Sequence, residues 1–311
     1  MPEDDAPTTT TTSTPARSSP SSWTDIFTLP RPLKDLFSHF PLTTYGPNPL
    51  PSRSAPHHSP RPVLYIFATP AAAQRNEPSY NPTCLKWQTY LKLSGIEFDA
   101  VASNNHASPS GSLPFVLPAP AGTAGKAGGK DGAPVPTGKI RRWVEDQCPG
   151  RQEEDKLAMR QEVYFSLLDH RLRRAWLYQL YLHPQNKGLL EKFYTAPFSE
   201  AGVVRYATEV QLRKAAEEEV RKSNAVGQLG EEEVMREGEE ALDALEDLLG
   251  SEEWFFGAKE PGLFDAAVFA YTHLLLLEEW GWGWNALGGV LKGKKGLVKH
   301  RRRVWKRAFG G

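Results

Sequence analysis

Sulfur is scarce in this chain. Two cysteines, Cys84 and Cys148, occur in 311 residues. That is too few for a disulfide framework, and a reducing compartment is the simplest setting. Long apolar runs are missing too. The most apolar stretch, Phe264–Leu277, is interrupted by Asp265, Tyr271, Thr272 and His273, whereas a bilayer-spanning helix needs about 20 apolar residues. A soluble or peripheral protein is expected. Net charge is absent: 37 Lys and Arg balance 37 Asp and Glu, so global charge selects no polyanionic partner. The first residues, MPEDDAPTTTTTSTPARSSPSS, have neither the apolar centre of a secretory signal nor the arginine-rich, acid-poor character of a mitochondrial presequence.

Acidic residues stop at Glu279, while nine Lys and Arg fall between Lys292 and Arg307. Residues 286–311 are therefore expected as a basic C-terminal tail, suited to an anionic membrane surface or an acidic protein face. Charge alone would also admit nucleic acid, but no recognition fold accompanies it, and no nucleic-acid partner is expected.

The chain is long enough for two modest cores. Residues 1–22 have too few apolar side chains to repay ordering and are expected to be disordered. Residues 23–61 mix apolar residues with many prolines and are expected as an extended arm on a surface. An α/β unit is expected over 62–149. Val63–Ala68 is a continuous apolar run, as for a buried strand, and 69–80 is a long loop. Pro82 opens a helix on which Cys84, Trp87 and Leu91 share a face and which Gly95 ends. Ile96–Val101 is a second strand, SLPFVLP a third, and Gly138–Gln147 a helix. The Gly/Ala/Pro/Lys-rich stretch 119–136 is a flexible insertion. From 150 to 285 the pattern is helical. Tyr164, Leu168, Leu172, Trp176 and Leu180 recur every four residues, Pro184 ends that stripe, and the segment around LFDAAVFAYTHL is the central helix.

Three features carry a resemblance. A βαβ unit precedes a strand with an internal proline and then an all-helical half. SPSGSLPFVL is similar to a P-x-G-x-x-P segment. EALDALEDLLGSEEWFFGAKEPGLFDAAVFAYTHL is similar to a C-terminal helix signature with a buried aspartate, here Asp265. Together they resemble the glutathione-transferase fold, α/β plus all-α, with a thioredoxin-like domain followed by a helical domain. The resemblance implies that Pro114 is cis and that Asp265 caps the central helix, with Gly262 where a Ser or Thr cap is usual. NPTCLKWQTYLKLSGIEFDAV joined to SNNHASPSGSLPFVLPA narrows the likeness to the metaxin family, which includes peripheral subunits of the fungal mitochondrial sorting and assembly machinery.

The metaxin resemblance implies a non-enzymatic peripheral subunit on the cytosolic face of the mitochondrial outer membrane. Its implied partners are a membrane-embedded β-barrel assembly subunit, a second metaxin-like subunit and β-barrel precursors. It implies no cofactor. The alternative is a glutathione-dependent transferase or thiol enzyme. In thiol-disulfide relatives the first cysteine of Cys-Pro-x-Cys attacks. Here that stretch is Asn81-Pro82-Thr83-Cys84, so the attacking position is asparagine and Cys84 is expected in the core. Ser79 and Tyr80 are the nearest substitute hydroxyls, and Tyr65 falls within the first strand. The acidic–serine pair that would hold a γ-glutamyl group is Pro136-Thr137-Gly138-Lys139, which has no acid.

His57, His58, His106, His170 and His183 show no metal-ligand spacing, and GTAGKAGGK lacks the GK[ST] ending of a phosphate loop. Trp280, Trp282 and Trp284 alternate with glycine. They fit either packing against the helical domain or, with Arg301, Arg302 and Arg303, contact with a partner or membrane.

Overall fold

The run from Val63 becomes strand β1 (Val63–Ile66), buried along its whole length, as expected for a strand covered on both faces. The computed structural model describes residues 60–119, 133–148, 155–197, 199–222 and 230–310. The expected disordered segment 1–22 and all but the last two residues of the arm 23–61 lie outside them.

Residues 69–80 are not simply a loop. They hold helix α1 (Pro70–Gln74), because the Thr69 hydroxyl accepts from the Ala72 N–H at 3.2 Å and Pro70 sits where a missing N–H costs nothing. Helix α2 (Pro82–Leu93) starts the same way under Asn81 and stops where Gly95 turns left-handed, φ 71°. Strand β2 (Asp99–Ala102) pairs parallel with β1. It begins later than the apolar pattern predicts, because the Ile96 N–H bonds back to the Leu91 carbonyl at 3.1 Å and closes the helix.

The Leu113–Pro114 peptide is cis. Strand β3 (Phe115–Leu117) follows and runs antiparallel to β1. Strand β4 (Val135–Pro136) pairs antiparallel with β3, giving the order β2–β1–β3–β4. So the end of the expected insertion 119–136 is sheet, fixed by Val135 opposite Val116. Helix α3 (Ile140–Gln147) then buries Ile140, Trp143 and Val144.

The second half is helical. Residues 155–182 form one rod: α4 (Asp155–Leu167), a π turn (Leu168–Leu172), α5 (Arg173–Leu177) and a second π turn (Tyr178–Leu182). Leu168, Leu172, Trp176 and Leu180 are buried along it. Helix α6 (Lys187–Leu190), α7 (Gly202–Lys222) and α8 (Glu231–Leu249) follow. Helix α9 (Leu263–Leu275) is buried at every position and packs on α2 and on the last helix, so one helix joins the core of both halves.

Residues 286–311, expected as a basic tail, are corrected by the structure. Helices α10 (Ala286–Gly293) and α11 (Lys295–Ala308) extend the helical domain to residue 308. Two interactions hold them. Leu297, His300 and Val304 are buried at helical spacing. The Glu246 carboxylate of α8 accepts from the Gly296 and Leu297 N–H groups at 2.8 Å each, supplying a cap for α11 that its own basic sequence lacks. Among the described residues no helix is long and apolar enough to cross a membrane.

Candidate functional site

A cleft of about 330 Å³ opens where α2 begins. Its walls are Phe67, Asn81, Pro82 and Leu113 from the sheet half, and Arg173, Trp176, Tyr181 and Tyr194 from the helical half. Leu212, Ala216 and Glu219 of α7 close one side. This is the place where a thioredoxin-like domain presents a reactive group, at the free N–H groups of a helix that stabilise a developing thiolate.

Here those N–H groups are already used. The Asn81 side-chain oxygen accepts from the Thr83 N–H at 3.0 Å and the Cys84 N–H at 3.2 Å, and its amide donates to the Tyr194 hydroxyl at 3.4 Å. Cys84 lies one step inside and is fully buried. Burial pushes its thiol up to about 12, against weaker lowering by hydrogen bonds with the Phe67 backbone and Ser79. Ser79 is fully buried too; its hydroxyl donates to the Phe67 carbonyl at 2.6 Å and its N–H to Gln88. Tyr80 is buried with a hydroxyl that has no hydrogen-bond partner among the described residues, and burial raises its pKa. Tyr65 stacks on Phe115 at 4.4 Å. None of these groups presents a free nucleophile to the cleft. Thr137, in the stretch where an acidic–serine pair would hold a γ-glutamyl group, donates its hydroxyl to the Pro114 carbonyl.

What the sequence pattern did not reveal is a mixed-charge seam beside the cleft. Arg173 lies 3.9 Å from Glu219, and burial opposes its charge while Tyr271 and Glu219 more than offset this and raise its pKa. Burial lowers the pKa of Lys86 on α2, with Asp169 acting the other way. Burial likewise pushes Tyr271 up to about 12. The only hint in the sequence was a run of cations, His170 to Arg174, beside an apolar stripe.

Asp265 caps α9 as the resemblance implied. Its carboxylate accepts from the Gly262 N–H at 2.9 Å and the Phe255 N–H at 3.1 Å. With no hydroxyl at Gly262 to reciprocate, its remaining partner comes from another helix: His300 Nε2–H donates at 2.8 Å, and both side chains are buried.

The alternating tryptophans pack inward. Trp280 is buried against Trp176 and Phe193, and Trp282 crosses Trp176 edge-on at 5.6 Å. Trp284 stacks on His183 at 3.9 Å. Asn186 fixes this loop: it donates to the Gln179 and Trp284 carbonyls and accepts from the Gly283 and Trp284 N–H groups. A Cβ at Gly283 would come within 2.2 Å of the Gln185 carbonyl, which accounts for that glycine. Trp280 is buried and is therefore no partner or membrane contact, whereas Trp282 and Trp284 pack on one side and stay half-buried. The arginines divide. Arg303 donates to the Glu252 and Glu253 carbonyls, Arg301 is half-buried, and Arg302 is exposed.

Among the described residues no cluster of His, Cys, Asp and Glu could hold a metal ion. His57 and His58 lie outside them, and His106 and His170 are exposed.

Two family models agree with this architecture. The family described as glutathione S-transferase N-terminal domain matches residues 82–186, and the glutathione S-transferase C-terminal domain matches residues 238–304. No curated protein matches the sequence. Among solved structures, the chain is similar to the beta-etherase LigF from Sphingobium sp. strain SYK-6, with 15% identity over 78% of this chain and 94% of that one and a TM-score of 0.49. It is similar to the glutathione S-transferase CsGST63524 of Ceriporiopsis subvermispora in complex with glutathione, with 12% identity over 79% and 97% of the two chains and a TM-score of 0.49. It is also similar to glutathione transferase GSTFuA3 from Phanerochaete chrysosporium, with 12% identity over 77% and 97% and a TM-score of 0.48.

Proposed function

We propose that this chain, which carries the N-terminal and C-terminal domains of a glutathione-transferase-like fold, is a non-enzymatic scaffold of the metaxin kind. In this reading it is a peripheral subunit of the mitochondrial outer-membrane machinery that sorts and inserts β-barrel proteins. It sits on the cytosolic face, bound to a membrane-embedded β-barrel subunit and a second metaxin-like subunit. It helps recognise incoming β-barrel precursors, whose unpaired strand edges need protection during handover.

The observation that supports the non-enzymatic part is Asn81. It occupies the attacking position of a thiol enzyme and spends its side chain on the helix end and Tyr194. Ser79, Tyr80 and Cys84 are all buried behind it. The assembly role is supported by the metaxin resemblance of residues 81–101 and 103–119. One fold hosts many functions, so partners decide the matter. Native affinity purification from mild-detergent extracts of mitochondria should recover an outer-membrane β-barrel subunit and a second metaxin-like protein in stoichiometric amounts. A monomer without a membrane partner would sink the reading.

A second reading, a glutathione-dependent transferase, keeps support from the open cleft beside Leu113 and Pro82. It predicts glutathione binding measurable by titration calorimetry and lost when the cleft is filled by Ala216→Trp. No heat of binding would remove it.

A further inference from the structure

Helix α11 has opposite chemistries on opposite sides. Leu297, His300 and Val304 face the core. Lys295, Lys299, Arg302 and Lys306 recur at i, i+4, i+7 and i+11 and are exposed, which places them on one stripe turned away from the core. Neighbouring cations are neutralised: Lys294 pairs with Asp243 and Arg307 with Glu260. The four stripe residues have no ion-pair partner among the described residues, and α11 itself contains no acid.

Trp305 flanks this stripe and is 38% exposed. Its ring is stacked on His273 at 4.9 Å and 9° and on Phe309 at 5.3 Å and 21°. Phe309 in turn stacks on Phe269 and carries the Lys92 ammonium 4.6 Å above its ring. A stacked indole with one wet edge beside aligned, unpaired cations matches a headgroup surface, where aromatic rings sit at the interface and basic side chains meet anionic lipid.

We propose that the outer face of α11 rests on an anionic phospholipid surface, with Trp305 at headgroup depth and Lys295, Lys299, Arg302 and Lys306 against the phosphates. This deepens the peripheral-membrane part of the proposed function by naming the surface that meets the bilayer. A nucleic acid is a poorer fit. The stripe is straight, about 16 Å long at the helical rise, and it has one exposed ring rather than a platform of rings for stacking bases.

The test is co-sedimentation of the full chain with phosphatidylcholine vesicles, with and without phosphatidylserine. Each cation is expected to contribute about fivefold to partitioning. The variant K295Q/K299Q/R302Q/K306Q should therefore lose on the order of a hundredfold or more of the phosphatidylserine-dependent binding. A control with the same change in net charge, R171Q/K187Q/R221Q/K222Q, should retain most of it. Quenching of tryptophan fluorescence by brominated phospholipid should fall in Trp305→Phe, which keeps a ring in the stack. Binding indifferent to phosphatidylserine, equal losses in the two quadruple variants, or displacement by duplex RNA at matched salt would each overturn the proposal. Purification of the α11 variant from mitochondria separates this from the assembly role. A variant that loses vesicles but keeps its protein partners leaves both readings standing. If the wild-type chain binds vesicles but recovers no partner, only the assembly reading fails.

Discussion

Two helix ends in this molecule meet the same need with different side chains. At α2, the neutral amide of Asn81 accepts from two backbone N–H groups and donates to Tyr194, at the rim of a cleft. At α9, the carboxylate of Asp265 accepts from two backbone N–H groups and from His300, out of contact with solvent. The first cap occupies a place where related folds do chemistry and leaves it uncharged. The second ties α9, α11 and the Phe255 turn into one unit. A buried carboxylate is costly unless every lone pair is used, so its partners matter more than those of the half-exposed amide.

The largest test of this contrast is Asp265→Ala. It strands the His300 imidazole and the Phe255 and Gly262 N–H groups in the core, and a loss of about 3–5 kcal/mol in chemical denaturation is expected. A loss below 1 kcal/mol would make the two caps equivalent. Next in size is the neighbouring buried imidazole, His273, whose pKa burial lowers to about 3, with the Arg301 charge adding to the effect. The unfolded imidazole takes up a proton near pH 6.5 and the folded one only near 3. This contribution to stability is therefore full above pH 6.5 and is lost as pH falls towards 3, at up to about 1.4 kcal/mol per pH unit. In His273→Phe that component of the slope should vanish from stability measured against pH.

Asn81→Ala should cost about 1 kcal/mol, the ordinary value of an N-cap, with Asn81→Asp recovering it. A loss as large as that at Asp265 would show that the cleft end of α2 is as demanding as the core. The smallest effect is kinetic. In the folded protein a thiol reagent should label Cys148, which is half-buried, and leave Cys84 unlabelled until the chain unfolds. Fast labelling of Cys84, or none of the contrast between the two, would reopen the thiol-enzyme reading.

Much of the contrast was legible beforehand. Pro82 after Asn81 marked a helix start, the Cys-Pro-x-Cys pattern without its first sulfur put an asparagine at the head of that helix, and the apolar run around Asp265 marked a central helix. Other features were not legible because their causes lie far along the chain. The partner of Asp265 is 35 residues away at His300. The tryptophan loop takes its shape from Asn186, 98 residues before Trp284. The basic segment read as a tail because its charge dominates locally, yet three inward residues and a carboxylate from α8 make it a helix.

By itself, then, the sequence determined what depends on neighbours within a few residues: the strand and helix periodicities, the proline and glycine boundaries, and the identity of the residue at the head of α2. The tertiary structure decided which polar groups are buried together, which cations are paired, and which rings are consumed by packing. Those depend on the low dielectric and close approach that exist only once distant segments meet.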